Sequence, residues 1–412
     1  MATVRPFKGL RAPQDTVSKL AALPYDVINS EEARKAAQGN ARCFLHVTKP
    51  EIDLDPKMDL YDPKVYAKAK ENFEMFKKKG YLVQDPQPWF YIYKQVMDGR
   101  AQTGLMCCCS AEEYWNDKIK KHELTRKDKE EDRLKHVDTI NANAGPVFLT
   151  YNAKPEIDSL MDKATKEAPE YDFTSDDGIR HVLWVVKNDD WGKQITAAFK
   201  KIPALYVADG HHRSAAAARI AKVRKEQNPK HTGNEEYNYF LAVIFPHNHL
   251  FIMDYNRTVK DLNGNTHEEF LKKISEKFTV EKTTEKKPKA ANHFGMYMKE
   301  QWYHLTAKPG SFDAKDPVGC LDVSILQNNL LAPILAIGDP RTDKRIDFIG
   351  GIRGMKELEK VVDSGKFVVS FSLFPTSIEQ LIAIADSGKI MPPKSTWFEP
   401  KLRSGVVIHT LD

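Results

Sequence analysis

The chain has 412 residues, which at roughly 150 residues per domain is room for two or three domains with a real core. Its 62 Lys and Arg against 57 Asp and Glu leave a formal charge of only +5, too small an excess for a protein whose main task is neutralising many phosphates. The 41% hydrophobic and 29% charged residues are those of an ordinary globular chain, and the longest apolar run, Leu330–Ile337, is interrupted by Pro333, so no membrane span is expected.

The opening MATVRPFKGLR has no apolar core of the kind a secretory signal needs, and a cytoplasmic protein is expected. Residues Val4–Asn29 read as loop with one short helical segment. Ser30-Glu-Glu then opens a helix that Gly39 closes. His46, within Phe44-Leu-His-Val, reads as a satisfied histidine inside an apolar strand. Asp62-Pro63 starts a second helix, with Val65, Ala69, Phe73 and Phe76 on one face and Gly80 just past its end. Trp89–Val96 and Ala101–Cys109 read as two strands of a hairpin around Asp98-Gly99. Cys107, Cys108 and Cys109 alternate between the two faces of that strand, so they cannot converge on one ion and are expected to be buried reduced thiols.

Lys118–Ile140 is dense in both charge signs, and its second half is expected to be a helix supported by opposite charges three and four residues apart, ended by Gly145-Pro146. Val147–Tyr151 and His181–Val186 read as strands, and Trp191–Lys200 as a helix. Ala204–Ala208 is a short apolar strand that runs into Asp209-Gly-His-His-Arg213 and then an alanine-rich helix, Ser214–Glu226. Tyr239–Phe245 and Leu250–Asn256 read as a second hairpin, and Glu281–Ala290 as an exposed lysine-rich loop or boundary. Val368–Phe374 is a strand, Ser377 to Gln380 a capping box opening a helix that ends at Gly388, and Val406–Thr410 a last strand. Hairpins mixed with helices point to an α+β or mixed α/β fold.

The Asp209–Arg213 corner has the grammar of an anion site. The first turn of a helix offers unpaired N–H groups and the positive end of its dipole. Gly210 permits a tight turn and close approach, and Arg213 supplies a planar fork for phosphate oxygens. His211 and His212 add donors or a proton shuttle, and Ser214 lies in the same first turn. Asp209 is of the right type to hold a hydroxyl, orient a histidine or help hold a metal, while a structural turn with Asp209 as a helix cap is the plainer alternative. Asp26, in Leu23-Pro-Tyr-Asp-Val, is either a functional acid or part of a polar turn. His122, Glu123, Thr125 and Arg126 precede Glu131, Asp132, Arg133 and His136; Asp132 and His136 stand one turn apart and either share a ligand or bond to each other. Arg257 is read as a salt-bridge partner or a phosphate contact, and Lys394, Ser395, Thr396, Lys401 and Arg403 as a basic, hydroxyl-rich loop that could line an anion pocket. No Walker-type glycine loop and no G-x-S-x-G elbow is present.

Asp-Gly-His-His-Arg between a strand and a helix resembles the phosphate-binding motif of the ParB/sulfiredoxin superfamily, which includes nucleases, partitioning proteins, sulfiredoxins and free serine kinases. Asp209, His211 and Arg213 match the serine kinase variant, in which Thr stands at the place of His212. Sulfiredoxin has a cysteine where this chain has His211, which argues against sulfinic acid reduction. Across nearly its whole length the chain also resembles the family called domain of unknown function 1015, through Arg5-Pro-Phe-Lys-Gly-Leu-Arg11, Pro24-Tyr-Asp-Val27, Lys121-His-Glu-Leu-Thr-Arg126, Glu131-Asp-Arg133 and Met391-Pro-Pro-Lys-Ser-Thr396 with Pro400-Lys-Leu402.

The superfamily resemblance implies a ParB/sulfiredoxin-like nucleotide-binding region over residues 1–260, a lysine-rich connection over 261–310 and a C-terminal α+β region over 311–412. It further implies a phosphotransferase acting on a small hydroxyl compound such as free serine, using ATP or ADP with Mg²⁺. Asp209, His211, Asp26 and Glu123 are then the catalytic candidates, with Asp26 or Glu123 as general base. Gly210, His211, His212, Arg213, Ser214, Arg126 and Lys394 are the candidates for holding the nucleotide. The other readings are a nucleotide-binding regulatory module of ParB type, associated with DNA, and a phosphoester hydrolase; the small net charge and the lack of a helix-turn-helix signature weigh against nucleic acid.

Overall fold

The structure, a computed structural model, describes residues 2–412 and divides into two compact units. The first takes the chain up to Lys121, then Thr125–Leu250 and Pro400–Asp412. The second takes His122–Leu124 and Phe251–Glu399. Both units mix helices and sheets, the α+β class expected from the sequence.

The first unit is built on a nine-stranded sheet. Its order is Ile119–Lys120, Leu205–Asp209, Val147–Tyr151, Tyr239–Pro246, Arg100–Ser110, Phe90–Met97, Arg180–Val186 and Tyr171–Thr174. Val4–Arg5 adds to Arg100–Ser110 opposite Cys109 and Cys108, beyond the point where Phe90–Met97 stops pairing at Met106. Two pairings are parallel, Leu205 with Ile119 and Tyr239–Pro246 with Val147–Tyr151; the others are antiparallel. The Asp98-Gly99 turn has positive φ at both positions (51° and 77°), the twist a two-residue hairpin needs. The three adjacent cysteines are fully buried in this sheet as free thiols. One face of the sheet carries the main core, in which Ile92, Leu105, Cys107, Leu149, Phe199, Val207 and Ile244 pack together. A smaller four-stranded sheet joins Val83–Gln84, Gly9–Arg11, Val407–Thr410 and Ala142–Asn143.

Helix Lys127–Ile140 lies against the alanine-rich helix His211–Gln227. Its acids reach across that contact: Glu130 and Glu131 accept from Arg219 at 2.9 and 3.1 Å, and Asp138 accepts from Arg224 at 2.8 Å. The expected pairing along the helix is thus replaced by pairing between helices, where two long arginines span the gap that alanines leave open. The helix ends at Asn141 in a left-handed conformation (φ 55°), before Gly145-Pro146.

The second unit holds a six-stranded antiparallel sheet in the order Phe278–Thr283, Gln301–Ala307, His293–Met298, Val369–Leu373, Tyr255–Val259 and Ile346–Gly350. Phe251–Met253 pairs separately with Trp397–Glu399.

Several local expectations change. The second hairpin does not form: Tyr239–Pro246 sits centrally in the first sheet, while Phe251–Met253 and Tyr255–Val259 find partners in the second unit. A short His-rich turn, His247–His249, separates them and lacks the glycine that would fold one strand back on the other. Leu45–Thr48 is a helical turn and not a strand, and His46 bonds Asp53 at 2.8 Å and the Asn40 carbonyl at 3.2 Å from a half-buried position. The helix opens at Ser30 as expected, and its cap is Asn29, in a capping box with Glu32. The lysine-rich run Glu281–Ala290 is mostly exposed, as expected, but its first residues finish the strand Phe278–Thr283, and Lys287 reaches the buried Asp254 at 2.8 Å and Lys286 reaches Glu359 at 2.7 Å.

Candidate functional site

Strand Leu205–Asp209 ends at the predicted corner, and Gly210 turns the chain with φ 89° into helix His211–Gln227. The helix therefore begins at His211, three residues before the expected Ser214. A Cβ on Gly210 would lie 3.1–3.2 Å from the Arg213 guanidinium, so glycine serves both the backbone and the seat of that arginine.

Asp209 accepts from the Gly210 N–H at 2.8 Å through Oδ1 and from Lys401 Nζ at 3.1 Å through Oδ2. Arg213 Nη2 stands 3.9 Å from the same Oδ2. Burial alone would raise the Asp209 carboxyl; the charges of Lys401 and Arg213 and the bonds from Lys401 and Gly210 outweigh it and hold the group well below the usual carboxylate range.

Arg213 donates from Nη1 to the Pro146 carbonyl, while its buried Nε has no hydrogen-bond partner. It lines a cavity of about 40 Å³ with Tyr25, Arg133, His136, Gly145 and Ser404. That space holds a few waters, or one compact anionic group, but not a whole nucleotide. Arg133 lies 3.8 Å from the Tyr25 ring centroid and forks onto Asp132 Oδ2 at 2.9 and 2.7 Å. Burial and Asp26 push the Tyr25 hydroxyl up, Arg133 and Arg213 pull it down, and Asp132 raises it again. Tyr25 is thus the common neighbour of the exposed Asp26 and of both cavity arginines.

The other predicted residues fall as follows. His212 Nε2 accepts from the Arg126 backbone N–H at 3.0 Å, while the Arg126 side chain is exposed and pairs with Asp128 at 2.8 Å. His211 is buried, and its carbonyl accepts from the Ser214 hydroxyl at 3.0 Å, so Ser214 closes its own helix turn. Glu123 and Lys394 belong to the second unit, where the Lys394 ammonium lies 5.6 Å from the Tyr255 ring centroid. Asp132 and His136 do not bond each other: Asp132 accepts from Tyr66 and Arg133, and His136 donates from Nε2 to the Val47 carbonyl at 2.8 Å. Burial and Arg133 lower His136 to about 4, so it is a neutral imidazole at pH 7. Arg403 is taken up by Asp177, Ser175 and His181. Arg257 makes no salt bridge among the described residues; its buried guanidinium bonds the Tyr255 and Pro393 carbonyls, and burial lowers it to about 10. Tyr25, Arg133 and Ser404 were not in the predicted nucleotide set, although the Pro24-Tyr-Asp-Val27 and Glu131-Asp-Arg133 motifs carry two of them.

Among the curated proteins none matches this chain. A family model described as "Protein of unknown function (DUF1015)" matches residues 4–324. Among solved structures the chain is similar to a free serine kinase in complex with AMP, at 14% identity and a TM-score of 0.35, over 74% of this chain and 91% of that one. It is similar to a conserved hypothetical protein from Pyrococcus furiosus at 12% identity and a TM-score of 0.35, over 74% and 94%. It is also similar to SbnI with a C-terminal truncation from Staphylococcus aureus, at 11% identity and a TM-score of 0.37, over 71% and 82%.

Proposed function

Because the chain belongs to the family described as "Protein of unknown function (DUF1015)", a description that carries no activity, we propose from its own site that it is a nucleotide-dependent phosphotransferase acting on a small hydroxyl compound; free serine is the leading acceptor only through the resemblance of Asp209, His211 and Arg213 to the free serine kinase motif. The observation that carries this reading is Arg213: a guanidinium seated on a glycine at a helix start, with a buried Nε lacking a hydrogen-bond partner, on the wall of a cavity it shares with Arg133. An unmet buried N–H costs roughly 1–3 kcal/mol, which an incoming phosphoryl oxygen would recover.

In this reading Arg213, Arg133 and the first N–H groups of helix His211–Gln227 hold the transferring group, since catalysis of such transfers is mostly positioning and charge stabilisation. Asp26 takes the acceptor proton as the acceptor oxygen bonds to phosphorus and the nucleotide's bridging oxygen departs with the electron pair. Asp209 is a positioning residue, because Lys401, Gly210 and Arg213 already engage its oxygens. The same engagement makes it a poor Mg²⁺ ligand.

The test is a thermal-shift screen of the full chain with ATP, ADP, AMP and inorganic phosphate, with and without MgCl₂, followed by mass spectrometry for phosphoserine after incubation with serine. A stabilising shift that Arg213→Ala removes, with phosphoserine formed, is the expected result. A folded protein that none of these ligands stabilises would overturn the nucleotide reading. Stabilisation without phosphoserine would overturn serine as the acceptor.

A further inference from the structure

A second cavity in the first unit has the opposite electrostatic character. Its volume is about 160 Å³, against the roughly 10–15 Å³ that one water requires. Helix Pro155–Ala164 forms one wall, and its 3.6-residue turn sets two rows side by side: Ile157 and Met161, then Asp158 and Asp162. Leu105 and Ile244, opposite each other in the sheet, and the Phe199 ring form the apolar remainder.

Three polar features face this space without a protein partner. Asp158 and Asp162 make no ion pair among the described residues, although they are one turn apart and repel each other. Tyr151 is the third. It is only 2% exposed, its ring packs on Phe199 with centroids 5.2 Å apart, and its hydroxyl end senses the charge of Asp158 but takes no hydrogen bond from the chain. Its oxygen is not sealed within the protein but opens onto the cavity, the polar end of an otherwise buried ring. Burial raises the Asp158 carboxyl, His249 offsets part of that, and Asp162 raises it further, an excess of negative charge that a bound cation would relieve. His249 itself is oriented by the Thr103 N–H, which donates to its Nδ1 at 3.4 Å.

We propose that this cavity binds a small organic amine in its protonated form, with the ammonium group between Asp158 and Asp162 and the apolar body against Leu105, Met161 and Phe199. The ammonium N–H groups donate to both carboxylates and to the Tyr151 oxygen, while the Tyr151 and Phe199 rings add attraction for a cation close to their faces. A bare divalent ion fits less well: among the described residues Asp158, Asp162 and His249 do not bring three ligand atoms within 4.8 Å of one another, and half of the lining is apolar side chain that offers a metal nothing. An anion is excluded by sign. The proposal is independent of the phosphotransferase reading, since it shares no residue with the Arg213 cavity.

The test is titration calorimetry on the full chain at pH 7 with butylamine, isoamylamine and 2-phenylethylamine, with 2-phenylethanol as the uncharged counterpart and MgCl₂ and CaCl₂ as metal controls. Saturable binding of at least one amine, with the alcohol at least tenfold weaker, is expected. Asp162→Asn, at an exposed position, should weaken the amine at least tenfold, and Met161→Trp should abolish binding by filling the cavity; melting curves establish that both fold. Asp162→Asn should leave any nucleotide-induced shift unchanged. Binding by none of the three amines, equal binding of the alcohol, unchanged amine affinity in Asp162→Asn, or saturation by a metal ion alone would each overturn the proposal.

Discussion

Lys401 donates to Asp209 at 3.1 Å across 192 residues of sequence, and the two side chains are 9% and 27% exposed. This pair ties the last segment of the first unit to the strand end that leads into helix His211–Gln227. Removing Lys401 leaves Asp209 half-buried with only the Gly210 N–H and the more distant Arg213, at a cost of about 1–3 kcal/mol, below that of a fully buried pair. Lys401→Met should therefore destabilise the chain by about that amount in urea unfolding, and the double variant Lys401→Met with Asp209→Asn should recover part of the loss. Equal stability of Lys401→Met and wild type would mean that water already reaches the pair.

Gly210 carries the second prediction. With φ at 89° and the Arg213 guanidinium 3.1 Å from any Cβ, Gly210→Ala should cost about 1–3 kcal/mol of stability and displace Arg213. The expected signature is a lower melting temperature together with a weakened phosphate-induced shift, a combination that loss of helix propensity alone does not give.

Two buried histidines set a pH dependence. Burial and nearby arginines lower His136 to about 4 and His181 to about 3, against an unfolded value near 6.5. Between about pH 6.5 and 4 the unfolded chain therefore binds more protons than the folded one. The contribution of each histidine is fully present above pH 6.5 and falls as the pH drops, by about 1.4 kcal/mol per pH unit for each group. Urea midpoints measured at pH 7, 5.5 and 4.5 should decline steeply, and His136→Gln should flatten that decline.

The thiols give a direct accessibility test. Cys107, Cys108 and Cys109 are fully buried and Cys43 is 6% exposed, whereas Cys320 is half-buried. Burial pushes the Cys108 thiol well above its ordinary value, and the hydrogen bond with Cys107, reinforced by burial, does the same to Cys109. Since the thiolate is the reactive form, a thiol reagent at pH 8 should modify Cys320 first and the other four only on unfolding in guanidinium.

Legibility followed the reach of the signal. The Asp209–Arg213 corner is readable because its strand, glycine and helix lie within one short window, and the Ser377–Gln380 capping box for the same reason. What escaped is long-range. Tyr25, Arg133 and Arg213 meet around one cavity from three separate parts of the chain, and nothing in the local pattern of any of them announces the others. The charged face of Lys127–Ile140 read as paired along its own helix because its acids balance its own lysines, yet it is the neighbouring helix that supplies Arg219 and Arg224. Leu45–Thr48 misled for another reason: its valine and threonine favour a strand, and four residues are too few for helical periodicity to contradict them.

The discontinuity of the first unit bears on how the chain matures. On the ribosome, residues 251–399 emerge as one continuous piece while the earlier half still lacks Lys401 and the Val407–Thr410 strand that pairs with both Gly9–Arg11 and Ala142–Asn143. The later-made unit can thus complete itself first, and the earlier one is locked only once Pro400–Asp412 has emerged from the exit tunnel.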